Sequence, residues 1–340
     1  MRTTFISAAA LAAILPTSAA PTANVPINKH ADPVKSNSCI IKLKDGVSTD
    51  AHVNNLIAAI AAEGKVGYKY GAAFHGYSAT LQGKDLDFIR QSSDIEYIVE
   101  DGIMTIDYEE GDEAADFVAR DIPAVEGLEK RANGAGVDVY GIDAYANQDD
   151  TAGTAVGASY GVATSANIIA VKDVIAGINW AATQARSSGW PSIANLSLGD
   201  GASTAVDSAV TDTISGGLHF AIAAGNSNVD AGSTSPARVA AANTVVGAVD
   251  SSNRKASFSN YGPVLDVWAP GVNTLSAWIG GTTRTDAISG TSMASPRVAG
   301  YIAVRIGNSG RTAAAVSSAL EAGARAVVTG APSGTTNLLA

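Results

Sequence analysis

From residue 134 onward, short apolar runs alternate with helical patterns, a rhythm that predicts a parallel α/β sheet covered on both faces. Val137-Asp138-Val139-Tyr140-Gly141-Ile142-Asp143 reads as a buried strand ending in a carboxylate. Residues 168–171 predict a second strand and 174–185 a helix. Residues 193–197 predict a third strand, 202–215 a helix, and 219–224 a fourth strand closed by Gly225-Asn226. In open α/β sheets chemistry gathers at the carboxyl ends of the strands, and Asp143 and Asn226 both fall there.

The pattern upstream is different. Cys39-Ile40-Ile41-Lys42-Leu43 is a short β-type run, followed by Asp45-Gly46 and a helical stretch over 49–63 with Val53, Leu56, Ile57 and Ile60 on one face. Residues 74–81 alternate like a strand, 84–91 read as a second helix, and Ile95-Glu96-Tyr97-Ile98-Val99-Glu100 closes the unit. This order is taken as the ferredoxin-like β-α-β-β-α-β pattern. The fold class expected is therefore a doubly wound parallel-sheet α/β domain over 132–340, preceded by a small α+β ferredoxin-like domain over 39–107.

Residues 1–20 predict a secretory signal: Arg2, an Ala/Ile/Leu-rich stretch over 5–15, then small residues up to Ala20. That apolar run is too short to span a bilayer, so export to the extracellular space is expected, with 21–38 as a leader. Between the two domains, 108–131 is an acidic linker, with Glu109, Glu110, Asp112, Glu113, Asp116 and Asp121 set against Arg120. Lys130-Arg131 at its end is a candidate processing site, or simply two surface charges. A net charge of −10 argues against nucleic acid or an anionic membrane surface as partner. With Cys39 the only cysteine, no intrachain disulfide forms.

The densest candidate chemistry is Gly290-Thr291-Ser292-Met293-Ala294-Ser295-Pro296-Arg297-Val298-Ala299-Gly300. Proline suits a helix's first turn, which would place Ser292 at or near a helix N-terminus, where free N–H groups and the dipole favour developing negative charge. Small neighbours leave room for a carbonyl to reach the hydroxyl. A plain Ser/Thr helix cap is the bland alternative. The run closely resembles the active-site serine segment of the subtilisin-like serine proteases, proteinase K branch. Tyr160-Gly161-Val162-Ala163, Asn195-Leu196-Ser197-Leu198-Gly199, Ala223-Ala224-Gly225-Asn226, Ser257-Phe258-Ser259-Asn260-Tyr261-Gly262 and Trp268-Ala269-Pro270-Gly271 carry the same resemblance.

The resemblance implies peptide-bond hydrolysis by an Asp, His, Ser triad. Ser292 would be the nucleophile, Asp143 the carboxylate that orients the histidine, and Asn226 the oxyanion amide. Ser197, Leu198 and Gly199 would form one wall of the substrate pocket. The first domain resembles the family's propeptide inhibitor, so the partners implied are protein or peptide substrates and the chain's own propeptide as intramolecular inhibitor and chaperone, in a monomer. No cofactor is needed for the chemistry. The family often carries structural calcium, for which the sequence assigns no ligands. Asn195-Leu196-Ser197 also fits the N-glycosylation pattern, discounted because a buried strand is a poor acceptor.

The family's histidine is absent. Its His-Gly-Thr-His motif belongs between the aspartate and the Ala-Gly-Thr helix, but here Asp143 is followed by Ala144-Tyr145-Ala146-Asn147-Gln148-Asp149-Asp150, and the match resumes at Thr151-Ala152-Gly153-Thr154. His30, His52 and His75 lie in the first domain and its leader; His219 is read as a packed residue. Val171-Lys172-Asp173 runs straight into the next helix, where the family inserts a Gly/Ser-rich edge that pairs with substrate. Arg297 stands where the family usually has histidine. The expectation is a zymogen-type endopeptidase scaffold that is inactive or strongly impaired, the first reading being that misplaced splice sites have removed internal segments. A non-catalytic secreted pseudoprotease and a propeptide-type protease inhibitor stay open as alternatives.

Overall fold

The computed structural model describes residues 24–29, 33–60, 64–104, 109–110, 117–118, 134–143, 148–172, 174–199, 201–239, 244–278, 284–309 and 312–340. The expected signal segment, most of the acidic linker, and Lys130 and Arg131 lie outside these residues.

The first unit runs β1 (Ile27–Asn28), β2 (Val34–Leu43), α1 (Thr49–Ala59), β3 (Lys65–Tyr70), β4 (Gly76–Thr80), α2 (Gly83–Arg90) and β5 (Ile95–Gly102). Its sheet order is β1-β5-β2-β4-β3, with β2 antiparallel to both β4 and β5. Pairing begins at Val34, earlier than the apolar run, and β1 adds an edge strand beside β5. Strand alternation divides β2 between two cores. Cys39, Ile41 and Leu43 pack with Val53 and Leu56 of α1 and Ile89 of α2, while Ile40 faces the second unit. Helix α1 starts where the Ser48 side chain accepts from Ala51 N–H and ends where Ile60 turns extended, so it is shorter than the periodicity suggested; residues 61–63 lie outside the description. The sequence reading set no bounds for β3, and its exposure explains why: only Val66 and Tyr70 are withdrawn from solvent.

Two short strands follow, β6 (Glu109–Glu110) and β7 (Phe117–Val118), and then the second unit. It comprises β8 (Asp138–Asp143), α3 (Gln148–Val156), β9 (Asn167–Lys172), α4 (Val174–Ser188), β10 (Ser192–Leu196), α5 (Thr204–Ser215) and β11 (His219–Ala223). Next come β12 (Thr244–Val249), β13 (Val267–Pro270), the hairpin β14 (Thr274–Ala277) and β15 (Thr285–Ser289), α6 (Thr291–Ser309), α7 (Ala313–Gly323), β16 (Arg325–Ala326) and β17 (Leu338–Leu339). Among the described residues the main sheet has the order β16-β17-β13-β12-β11-β10-β8-β9, parallel from β17 through to β9.

The predicted strands and helices of this unit stand within a residue or three of their expected places. Helices α4 and α5 cover one face and share a core with Tyr140, Ile142, Leu196, Phe220 and Ile222. Helices α3, α6 and α7 cover the other, with Val139, Ile193, Ala221 and Val246 turned toward them. Trp268 is fully buried in the sheet, and its indole N–H donates to Thr336 O at 2.8 Å, which ties the C-terminal segment to β13.

Strand β9 lies on one side of β8 and β10 on the other. The winding therefore reverses between β8 and β10, and the crevice at their carboxyl ends is where open α/β sheets hold ligands. The first unit docks on the opposite side of α4 and α5. Ile40, Tyr70, Phe74 and Val99 join the core of those helices. Asn179 Oδ1 accepts the backbone N–H groups of Gly71, Ala72 and Ala73 at 2.9, 2.7 and 3.2 Å, and Lys42 Nζ reaches Asp212 at 2.9 Å. Strands β6 and β7 flank the β14–β15 hairpin, with Glu109 opposite Ser289 and Phe117 opposite Thr274.

Candidate active site

Three segments converge at the carboxyl edge of the sheet. The loop after β11 is held by Asn260, whose Oδ1 accepts from Ser227 and Val229 N–H at 3.1 and 3.0 Å and whose Nδ2 donates to Ala224 O at 2.8 Å. Gly225 adopts φ +100°, and a Cβ there would come within 2.4 Å of Asn260 Nδ2, so glycine is required on two counts. Asn226 follows at once. Its Oδ1 accepts from Thr291 N–H and Thr291 Oγ1, both at 2.9 Å, while Thr291 Oγ1 accepts from Gly225 N–H at 3.1 Å. A backbone N–H can only donate, so this contact fixes which end of the amide is oxygen. The donating NH₂ end is the one turned away from Thr291.

Helix α6 begins at Thr291, so Ser292 lies in its first turn, as the sequence suggested. The reason differs from the one given. Pro296 is the sixth residue of the helix, past the first turn. There its ring nitrogen cannot supply the i→i−4 bond to the carbonyl of Ser292. Gly290 N–H donates to Gly271 O at 2.8 Å, and a Cβ on Gly271 would lie 2.6 Å from Gly290 O, so this crossing demands a bare backbone.

Ser197, just past β10, meets Ser292 twice. Ser292 Oγ donates to Ser197 O at 3.1 Å, and Ser197 Oγ donates to Ser292 O at 2.9 Å. Asn195 Nδ2 donates to Ser197 Oγ at 2.7 Å, and Ser295 Oγ donates to Asn195 Oδ1 at 2.6 Å. All four residues are buried. Asn195 is thus spent on internal hydrogen bonds, in keeping with the discounted glycosylation pattern. Leu198 is buried in the core of the α4–α5 face, and Gly199 lies beside Ser235 O.

Asp143 ends β8, with its neighbour Ile142 in register with Leu196 of β10. Its backbone therefore reaches the same edge as Ser197, but its side chain lies outside the described residues, as do residues 144–147. The structure brings Ser292, Asn226 and Ser197 together; it leaves the role of Asp143 to its strand position. The sequence reading gave Thr291 and Ser295 no role and took Asn195 only as part of the discounted glycosylation pattern; for Ser295 the one signal was the neighbouring Pro296.

His219 begins β11, at the opposite end of the sheet. It is buried, its Nε2 lies 3.3 Å from Thr244 Oγ1, and burial pushes the imidazole down to about 4. The packed role expected for it stands. His52 bonds Asp94 and Tyr77, and His75 bonds Val47 O, all within the first unit. Arg297 is fully buried in α6. Among the described residues no group of three or more His, Cys, Asp or Glu gathers to hold a metal ion.

A family model described as the subtilase family matches residues 50–334. The chain is 32% identical to a cuticle-degrading protease of Metarhizium anisopliae over 363 aligned positions, covering 92% of this chain and 91% of that protein. Those 363 positions exceed the 340 residues of this chain, so the alignment opens gaps in it. Among solved structures, a cold-adapted subtilisin-like serine proteinase shares 36% identity, with 65% of this chain and 93% of that chain covered and a TM-score of 0.58. Fervidolysin from Fervidobacterium pennivorans, a keratinolytic enzyme related to subtilisin, aligns with 93% of this chain and 62% of its own at 19% identity, with a TM-score of 0.73, a likeness of fold.

Proposed function

Because the chain belongs to the subtilase family, we propose that it is a secreted subtilisin-like serine endopeptidase scaffold, made as a zymogen, that attacks peptide carbonyls through Ser292 with no imidazole base. The observation that carries this reading is the pairing of Ser292 with Asn226 across Thr291 at the head of α6.

Attack by Ser292 Oγ on a carbonyl carbon puts negative charge on the carbonyl oxygen. The NH₂ of Asn226 and the positive end of α6 favour that charge; one such amide is worth ~10²–10³ in turnover in this class of enzyme. The hydroxyl proton is the difficulty. Ser292 Oγ donates to a main-chain carbonyl, which orients the proton but is too weak a base to take it near neutral pH. The proton must leave to solvent. In subtilisin, loss of the serine or the histidine costs roughly two million-fold, leaving about 10³–10⁴ over water. Hydrolysis by this chain is therefore expected to be slow.

The first unit is proposed as the propeptide, an intramolecular inhibitor that docks through Asn179, Lys42–Asp212 and the shared core of α4 and α5. Residues 1–20 would direct export and Lys130-Arg131 would be the processing point. The gapped match to a relative of similar coverage supports the view that internal segments are missing, and the family's histidine motif is proposed as one of them.

The test is stoichiometric labelling of the purified full chain, its mass confirmed, with a fluorophosphonate, alongside casein cleavage. Slow labelling confined to Ser292, with casein barely cut, is expected. Brisk casein cleavage would refute the impaired-enzyme reading, and no labelling at Ser292 after prolonged exposure would refute the nucleophile assignment.

A further inference from the structure

We propose that Asn195, Ser197 and Ser295 form a buried positioning relay that replaces the helix hydrogen bond Pro296 cannot make, and so fixes the backbone of Ser292. This rests on Ser292 being the nucleophile.

The hydrogen bonds run in one direction. Ser295 Oγ donates to Asn195 Oδ1, Asn195 Nδ2 to Ser197 Oγ, and Ser197 Oγ to Ser292 O. Each hydroxyl and both ends of the amide are engaged, in a region where Asn195 is 1% and Ser197 and Ser295 are 0% exposed. Bonds aligned head to tail polarise one another. Their terminus is the one carbonyl in the first turn of α6 that the proline leaves without its helical N–H donor. A buried carbonyl left unpaired is costly, so the relay has a specific task there. It also couples two elements: Asn195 and Ser197 come from the end of β10, Ser295 and Ser292 from α6. The reciprocal bond from Ser292 Oγ to Ser197 O closes the ring. The relay thereby sets where the hydroxyl stands relative to Asn226, which is bound to the preceding residue of the same turn.

Ser292-Met293 is the only Ser-Met pair in the chain, so carbonyl-¹³C serine with ¹⁵N methionine gives a single carbonyl-to-amide NMR correlation that reports the Ser292 carbonyl alone. In the full chain, Ser197→Ala should move that carbonyl resonance upfield and Ser197→Thr should restore it. In a Pro296→Ala background the new N–H takes over the carbonyl, so Ser197→Ala should then shift the resonance and the urea midpoint far less than it does alone. Fluorophosphonate labelling, in which the P–F bond breaks as Ser292 Oγ bonds phosphorus and fluoride and a proton leave to solvent, should slow roughly tenfold to a hundredfold in Ser197→Ala and recover in Ser197→Thr. An unmoved resonance, or equal effects of Ser197→Ala with and without Pro296, would overturn the relay. If the unmodified chain is never labelled, the nucleophile assignment fails, and the NMR arm still decides the relay.

Discussion

The two ends of the main sheet carry opposite kinds of chemistry. At the carboxyl end Ser292, Thr291, Asn195, Ser197 and Ser295 are buried, uncharged and each hydrogen-bonded. At the amino end His219, Asp266 and Glu321 are titratable, gathered around Thr244 and Ser317. The five residues of β11 span about 16 Å between those ends. The second unit's one imidazole is thus a strand's length from its candidate nucleophile. On the proposed function, this scaffold keeps its charge-stabilising half without the proton-accepting half, because the two are built from different segments.

The sharpest way to break this contrast is to supply the missing base. Inserting a relative's histidine segment between Asp143 and Thr151 should raise casein turnover by about 10⁵-fold or more, on the scale of histidine loss in subtilisin. A gain of tenfold or less would mean that the carboxyl end is deficient elsewhere.

Next in size is a matched pair of substitutions at the two ends. Asn226→Ala should slow fluorophosphonate labelling about 10²–10³-fold, whereas His219→Leu should leave its rate unchanged. Comparable slowing by both would erase the distinction.

The amino end should instead govern pH-dependent stability. Burial raises the Asp266 carboxyl to about 7, so the folded chain binds more protons than the unfolded one between about 4 and 7. Its contribution is complete at acid pH and is lost as pH rises through 7. Burial lowers His219 to about 4, so its contribution grows from pH 4 to about 6.5 and is lost below 4. The two slopes oppose each other between 4 and 6.5. Asp266→Asn, which keeps an oxygen for Val245 N–H, should be more stable than the unmodified chain at pH 8 by on the order of 2–4 kcal/mol, with a smaller difference at pH 4. Urea unfolding at both values checks this. Burial raises Glu321 as well, so Glu321→Gln should act in the same direction.

The smallest expected effect lies between the two units. Lys42→Ala removes the ion pair with the half-exposed Asp212 and, by urea unfolding, should lower the unfolding free energy by about 1 kcal/mol or less. A much larger loss would mean that the docking of the first unit is held by charge and not by the core around Ile40 and Phe74.

Much of this organisation is legible in the sequence, for identifiable reasons. The strands β8, β10 and β11 are buried, so they read as short, largely apolar runs, and their ends mark the site edge. Ser292 and Asn226 stand out through small neighbours and a Gly-Asn turn. Strand β3 was not delimited because an edge strand with exposed lysines and tyrosine carries no alternation. The relay was missed because Asn195 and Ser295 look like ordinary members of a strand and a helix; only folding brings residues a hundred positions apart within 2.6 Å. Pro296 was noticed but assigned to the first turn, since a sequence shows that a donor is absent but not which carbonyl loses it.

The most direct test of the central claim is the pH dependence of fluorophosphonate labelling at Ser292 in the full chain. With no imidazole to take the hydroxyl proton, the rate should climb steadily with hydroxide concentration from pH 5 to 9 without a plateau. A sigmoidal profile with its midpoint between about 6 and 8, retained in His219→Leu, would show that another general base serves Ser292 and would contradict the claim.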